Sequence, residues 1–143
     1  MKKLLYSTLC SIAFLSFDEA IAQDWNTGGN NALPGAVLGT NNNQPLRIIT
    51  SAIERYRITP IGSFQWFGST ATGLRSMALG DNTTASGENA FSGGVNSEAT
   101  ALNSFSFGFN NQSTDFGAVT FGNNNIALES SLFAKGVDAR FQS

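Results

Sequence analysis

Large and small side chains alternate in a short segment that recurs every fourteen residues through the second half of the chain. Each segment ends on a glycine, and the spacing never slips, at Gly80, Gly94, Gly108, Gly122 and Gly136. An asparagine follows two residues after each of the first four glycines, at Asn82, Asn96, Asn110 and Asn124, and an aspartate follows the fifth. Units that keep such a register identify a repeat protein.

A unit of fourteen residues predicts one coil of a β-solenoid, because it is too short for a helical hairpin repeat. We number positions 1–14 from four residues ahead of each glycine, so that the coils begin at Ser76, Ala90, Ser104, Ala118 and Leu132. Alternation at positions 1–4 predicts a strand. The glycine at position 5 and the asparagine at position 7 predict a turn, since both tolerate left-handed backbone. We therefore expect an all-β fold, with a parallel β-roll of about five coils over residues 69–143.

The alternation separates small residues at positions 1 and 3 from large apolar residues at positions 2 and 4. A narrow coil accommodates the small residues, so the large row is expected to face outwards, where an exposed apolar surface favours a partner chain. The residues predicted to form this oligomer interface are Met77, Leu79, Phe91, Phe105, Phe107, Val119, Phe121 and Phe133. In the alternative, which stays open at this point, these side chains fill the lumen of a wider monomeric coil.

The segments SMALG (76–80), SFSFG (104–108) and AVTFG (118–122), followed by small-residue segments such as TASG or SEAT, resemble the head repeats of trimeric autotransporter adhesins of the YadA type. The resemblance covers about half of the chain. It implies a left-handed parallel β-roll that forms a homotrimer through the roll. It also implies a place at the cell surface and a ligand on a host or other extracellular surface.

Residues 1–22 have the pattern of a secretory signal peptide. Lys2 and Lys3 precede an apolar run from Leu4 to Phe17, and Ala20-Ile21-Ala22 gives a small-x-small cleavage site. We expect cleavage after Ala22, export of the remaining chain, and no membrane span in the mature protein.

Residues 23–68 predict a turn-rich β segment in front of the roll. LRIITSAIERYRI (46–58) is expected to form two short strands about a turn, and GSFQWFG (62–68) another strand. The order W-x-T-G, LGT, ERYRI and GSFQWFG resembles a segment of exported tail-fibre-like proteins of Bacteroidetes-type bacteria. That resemblance implies an alternative, in which the chain is a fragment of such a protein and its chaperone or anchor domain is missing downstream.

Composition argues against catalysis and nucleic-acid binding. After the signal peptide the chain has no histidine or cysteine, six basic side chains and eight acidic ones. Nucleophilic triads and most zinc sites need histidine or cysteine, and phosphate binding needs a basic face. Asp115 and Glu129 share position 12 of neighbouring coils, where two solvated turn carboxylates are expected. We thus predict no catalytic, cofactor or metal site, and a secreted structural or adhesin-like protein that acts in attachment or as a fibre head.

Overall fold

The computed structural model describes residues 38–130 and 132–141. The predicted signal peptide and residues 23–37 lie outside the described residues. Within that part the secondary structure is fourteen strands in chain order: β1 (Leu46–Thr50), β2 (Ile53–Ile58), β3 (Phe64–Trp66), β4 (Thr70–Ala71), β5 (Met77–Asp81), β6 (Thr84–Ala85), β7 (Phe91–Val95), β8 (Glu98–Ala99), β9 (Phe105–Phe109), β10 (Gln112–Ser113), β11 (Val119–Asn123), β12 (Ile126–Ala127), β13 (Phe133–Val137) and β14 (Arg140–Phe141).

The strands stack into two sheets, one on each side of a coil. The long strands form an eight-stranded sheet in the order β1-β2-β3-β5-β7-β9-β11-β13, and the two-residue strands form a six-stranded sheet in the order β14-β12-β10-β8-β6-β4. From β5 onwards every residue of a long strand pairs in parallel with the residue fourteen places along, as Gly94 does with Gly108. The prediction of an all-β solenoid of about five coils is confirmed.

The repeat glycine is required by both backbone angle and space, as Gly108 shows. Its φ is 129°, in the region that side chains rarely adopt, and an added Cβ would lie 2.0 Å from the Gly122 carbonyl oxygen of the next coil. Two residues later the backbone turns again, with Asn110 at φ 53°. Asparagine tolerates this left-handed conformation better than most residues. The chain therefore reverses direction within positions 5–7 and enters the short strand.

The lumen is filled by alanine and by short polar side chains, and the polar ones outnumber the alanines among the described residues. Positions 1, 3, 8 and 10 point inwards, and Ala78, Ala85, Ala99 and Ala127 are fully buried. Between them lie buried hydroxyls that bond across the coil, such as Ser113 Oγ to Phe105 O at 2.7 Å and to Thr120 Oγ1 at 2.9 Å. A lumen this narrow leaves no room for phenylalanine, so the alternative of lumen-filling aromatic side chains does not hold.

The N-terminal hairpin, β1 and β2, extends the long sheet with antiparallel pairing, and β3 joins it to the first parallel strand. The two strands predicted within 46–58 and the strand predicted within 62–68 are confirmed. Ile48 pairs with Tyr56 but Ile49 pairs with Glu54, so Arg55 has no partner across the ladder. Such a bulge shifts the alternation of side chains by one place. As a result, the Glu54 carboxylate lies between Arg47 and Arg57, with Arg57 Nε donating to Oε1 at 2.6 Å.

These hydrogen bonds from Arg57, and secondarily from Arg47, hold the pKa of Glu54 below its ordinary value, against an opposing effect of burial. A lowered folded-state pKa stabilises the protein above the unfolded-state pKa, and this contribution is lost as the pH falls through the folded value. We therefore expect Glu54→Gln to lower the thermal midpoint at pH 7 and to lower it less at pH 3, where protonation of Glu54 has begun to remove the contribution. Melting curves of both proteins across this range provide the measurement. An equal difference at both pH values would contradict the prediction.

Candidate oligomer interface

The outer apolar face is formed by positions 2 and 4 of the long strands. Parallel pairing sets each side chain above its counterpart, with Phe91 beside Phe105 and Phe107 beside Phe121. Cross-strand neighbours on one face lie about 4.8 Å apart along the stack. The residues predicted for an interface therefore share one surface. Their side chains are half-buried or exposed, and Phe121 and Phe133 keep 45% and 59% of their surface in solvent.

Four phenylalanine rings form the centre of the outer apolar face. Phe91 and Phe105 stack with centroids 4.9 Å apart, and Phe107 and Phe121 stack at 5.5 Å. The centroids of the Phe107 and Phe91 rings are also only 6.4 Å apart, because position 4 of the coil that contains Phe91 is a glycine, Gly93. A Cβ on Gly93 would lie 2.7 Å from the Phe107 ring. The missing side chain thus lets the ring lean over its neighbour, which flattens the aromatic surface.

The same face continues onto the first three strands, which the sequence did not indicate. Phe64 pairs with Met77, and Tyr56 pairs with Trp66, so these aromatic residues extend positions 2 and 4 past the first coil. Tyr56 stacks on Phe64 at 5.5 Å and meets the Trp66 ring edge-on at 4.8 Å. Trp66 is 42% exposed. The apolar surface continues from strand to strand until Lys135 takes position 4 on β13, and an exposed apolar surface of this length is typical of an interaction site.

The turn residues at position 7 form a separate ladder along the edge of the stack. Asn82 Nδ2 donates to Asn96 Oδ1 at 2.8 Å, and Asn110 Nδ2 donates to Asn124 Oδ1 at 2.7 Å. These side chains form hydrogen bonds between neighbouring coils, and such bonds stabilise the turns. In these two pairs the donor amide and the acceptor oxygen are therefore engaged within the chain.

The structure brings together no further candidate chemistry in the part it describes. Asp115 Oδ1 accepts the Phe116 backbone N–H at 2.6 Å and the Ser130 hydroxyl at 3.1 Å, so that carboxylate supports its turn. Residues 38–130 and 132–141 contain no cluster of three or more His, Cys, Asp or Glu suited to a metal ion. Over the same ranges, no helix has the length and apolarity to cross a membrane.

The match to known families falls on the first coils of the roll. Residues 71–92 match the family model of the YadA head domain repeat, in two copies. The chain carries YadA-like head repeats. No curated protein and no solved structure matches the chain significantly. The register that begins in the matched repeats continues unchanged to β13, so the later coils have the same architecture. Head repeats of this type are structural, adhesin-like modules, and the resemblance to exported tail-fibre-like proteins stays a prediction.

Proposed function

We propose that the chain is an exported, non-catalytic head module that forms a homotrimer through its outer apolar face and acts in attachment at a cell surface. The observation that carries the proposal is the outer apolar face itself. Its aromatic residues lie outside a lumen that is already filled by alanine, serine, threonine and asparagine. Burying this face between chains would remove it from water, where apolar surface contributes about 25 cal/mol per Å² on burial.

The mass of the exported form, residues 23–143, in solution tests the homotrimer. Light scattering is expected to give the mass of three chains for the natural sequence and of one chain for Phe107→Asp. The aspartate would place a charge in the middle of the apolar contact, where an unpaired charge is strongly unfavourable. Circular dichroism should show the same β content for both proteins, since Phe107 lies outside the lumen.

Thr100→Asp is the matched control, because Thr100 is exposed and belongs to the side of the coil opposite the outer apolar face. It is expected to keep the mass of three chains. A folded monomer for the natural sequence would contradict the trimer.

The same proteins test attachment. Beads coated with the natural sequence should be retained on a surface of extracellular-matrix protein or glycan better than beads coated with Phe107→Asp, because three heads present three copies of any weak site. Equal retention on every surface tested would contradict attachment.

A further inference from the structure

Two rows of exposed side chains flank the outer apolar face. One row is position 6, at the end of each long strand: Asp81, Val95, Phe109, Asn123 and Val137. The other row is position 13, in the turn before the next long strand: Leu74, Glu88, Leu102, Phe116 and Ser130. Each row follows one edge of the face from coil to coil. A surface that covered the whole face would include both edges.

The two rows match in polarity within each coil. In the coil that begins at Ala90, both positions are aliphatic, Val95 and Leu102. In the next coil both are aromatic, Phe109 and Phe116, and in the one after that both are polar, Asn123 and Ser130. The agreement over three coils has no explanation inside one chain, since the two rows lie at opposite ends of a strand that spans roughly 13 Å.

The coil that begins at Ser76 follows the same rule through charge. Its position 6 is Asp81 and its position 13 is Glu88, two acidic residues that would repel each other if they met alone. Arg75 Nη2, however, donates to Glu88 Oε1 at 2.5 Å, and the Arg75 side chain is itself 60% exposed. The position 13 edge therefore presents a guanidinium at the height where the other edge presents the Asp81 carboxylate.

Both aromatic residues of the flanking rows lack an aromatic neighbour within the described part of the chain. Phe109 and Phe116 are 48% and 49% exposed, and neither ring takes part in the stacking that orders Phe91, Phe105 and Phe107. Two isolated rings at opposite edges of one coil are suited to meet between two copies of the chain. Aromatic pairs gain energy beyond the burial of their area, which makes such a contact a strong determinant of register.

We infer that position 6 of one copy packs against position 13 of the next copy, coil for coil. The inference rests on the proposed homotrimer and gives it a geometry. The two rows could also meet in a twofold pair whose axis runs along the stack, whereas a heterologous contact repeated by three copies closes a ring, which is the arrangement that the proposed homotrimer requires. In a trimer each chain uses its two edges for two different neighbours, whereas such a twofold pair would use both edges for one neighbour.

Cysteine cross-linking of the exported form tests the pairing, because residues 23–143 contain no cysteine of their own. Under mild oxidation, the double variant Phe109→Cys/Phe116→Cys is expected to become mostly a covalent trimer on a non-reducing gel and to return to single chains with reductant. A disulfide needs Cβ atoms within about 4.5 Å, so the link reports direct apposition. The two positions cannot form a disulfide within one chain, because they lie at opposite ends of a strand that spans roughly 13 Å.

The controls separate this inference from the trimer itself. Each single variant should give no cross-linked product, and neither should Thr72→Cys/Thr114→Cys, whose residues directly follow β4 and β10 of the six-stranded sheet. Light scattering before oxidation measures the mass independently. A trimer by mass without the Phe109–Phe116 link, or with a better link from Phe109→Cys/Leu102→Cys, would overturn the pairing and leave the proposed assembly standing. A covalent product that stops at the dimer, from the double variant or from a single variant, would indicate a twofold contact and overturn the ring, and a monomer by mass would remove the assembly as well.

Discussion

Gly108→Ala is expected to destabilise the roll by about 4 kcal/mol or more, which would be an exceptional effect for one methyl group. The new Cβ would lie 2.0 Å from the Gly122 carbonyl oxygen and 2.7 Å from Asn111 Nδ2, and the φ of 129° would strain any side chain. The carbonyl belongs to the backbone of the next coil, so relief requires the two coils to separate. Separation would break the parallel ladder on both sides of the site.

Gly136→Ala is the matched control. Gly136 has nearly the same φ, 128°, but nothing within 4 Å of an added Cβ in the part of the chain that the structure describes. This substitution should cost only the backbone strain, about 1–3 kcal/mol. Thermal or denaturant unfolding at a fixed protein concentration gives both values. Equal losses for the two variants would show that backbone angle alone, and not the spacing of the coils, requires glycine in the repeat.

Asn125→Ala is expected to cost about 3–5 kcal/mol, because unpaired buried groups cost about 1–3 kcal/mol each. Asn125 is fully buried at position 8. Its Nδ2 donates to Phe121 O at 3.1 Å and to Gly136 O at 2.9 Å, and its Oδ1 accepts the Ala139 N–H at 2.9 Å. Alanine would leave two carbonyls and one N–H of the backbone without these partners and would open a cavity between two coils.

Asn124→Gly tests the neighbouring asparagine, which lies outside the lumen. Asn124 has a φ of 53° and accepts a hydrogen bond from Asn110 at the surface. Glycine keeps the left-handed turn, so this variant is expected to lose no more than about 1 kcal/mol. Equilibrium unfolding of the two variants under one set of conditions makes the comparison. If Asn125→Ala lost no more stability than Asn124→Gly, the buried hydrogen bonds would not support the stack.

The contrast between these two asparagines shows what the sequence could predict and what it could not. The fourteen-residue period and the small and large rows were readable, because only small side chains fit a coil of that length. Positions 7 and 8 both carry asparagine at Asn124 and Asn125, and the sequence analysis assigned a role only to the first. Simple alternation cannot be followed past position 5, since left-handed residues at positions 5 and 7 interrupt it. That the side chain at position 8 points into the lumen could therefore be determined only from the backbone conformation.

The N-terminal hairpin was predictable as strands but not as part of the outer apolar face. Its place depends on pairing between segments, such as Tyr56 with Trp66, and on the bulge at Arg55 that brings Glu54 beside Arg57. Neither the direction of pairing nor a bulge leaves a periodic pattern in so short a segment. The signal that the sequence did contain was its three aromatic residues, Tyr56, Phe64 and Trp66. Three large rings in a turn-rich segment indicate that the segment contributes to an apolar surface.

The hydroxyl- and amide-lined lumen also determines how the protein responds to temperature. Exposure of apolar surface raises the heat capacity on unfolding, whereas exposure of polar surface lowers it. Ser106, Asn111 and Thr120 occupy interior places where other proteins bury leucine or valine. A single roll should therefore have a heat-capacity increment below the usual value of about 12–15 cal/mol/K per residue. Its free energy of unfolding would then change little between cold and warm surroundings.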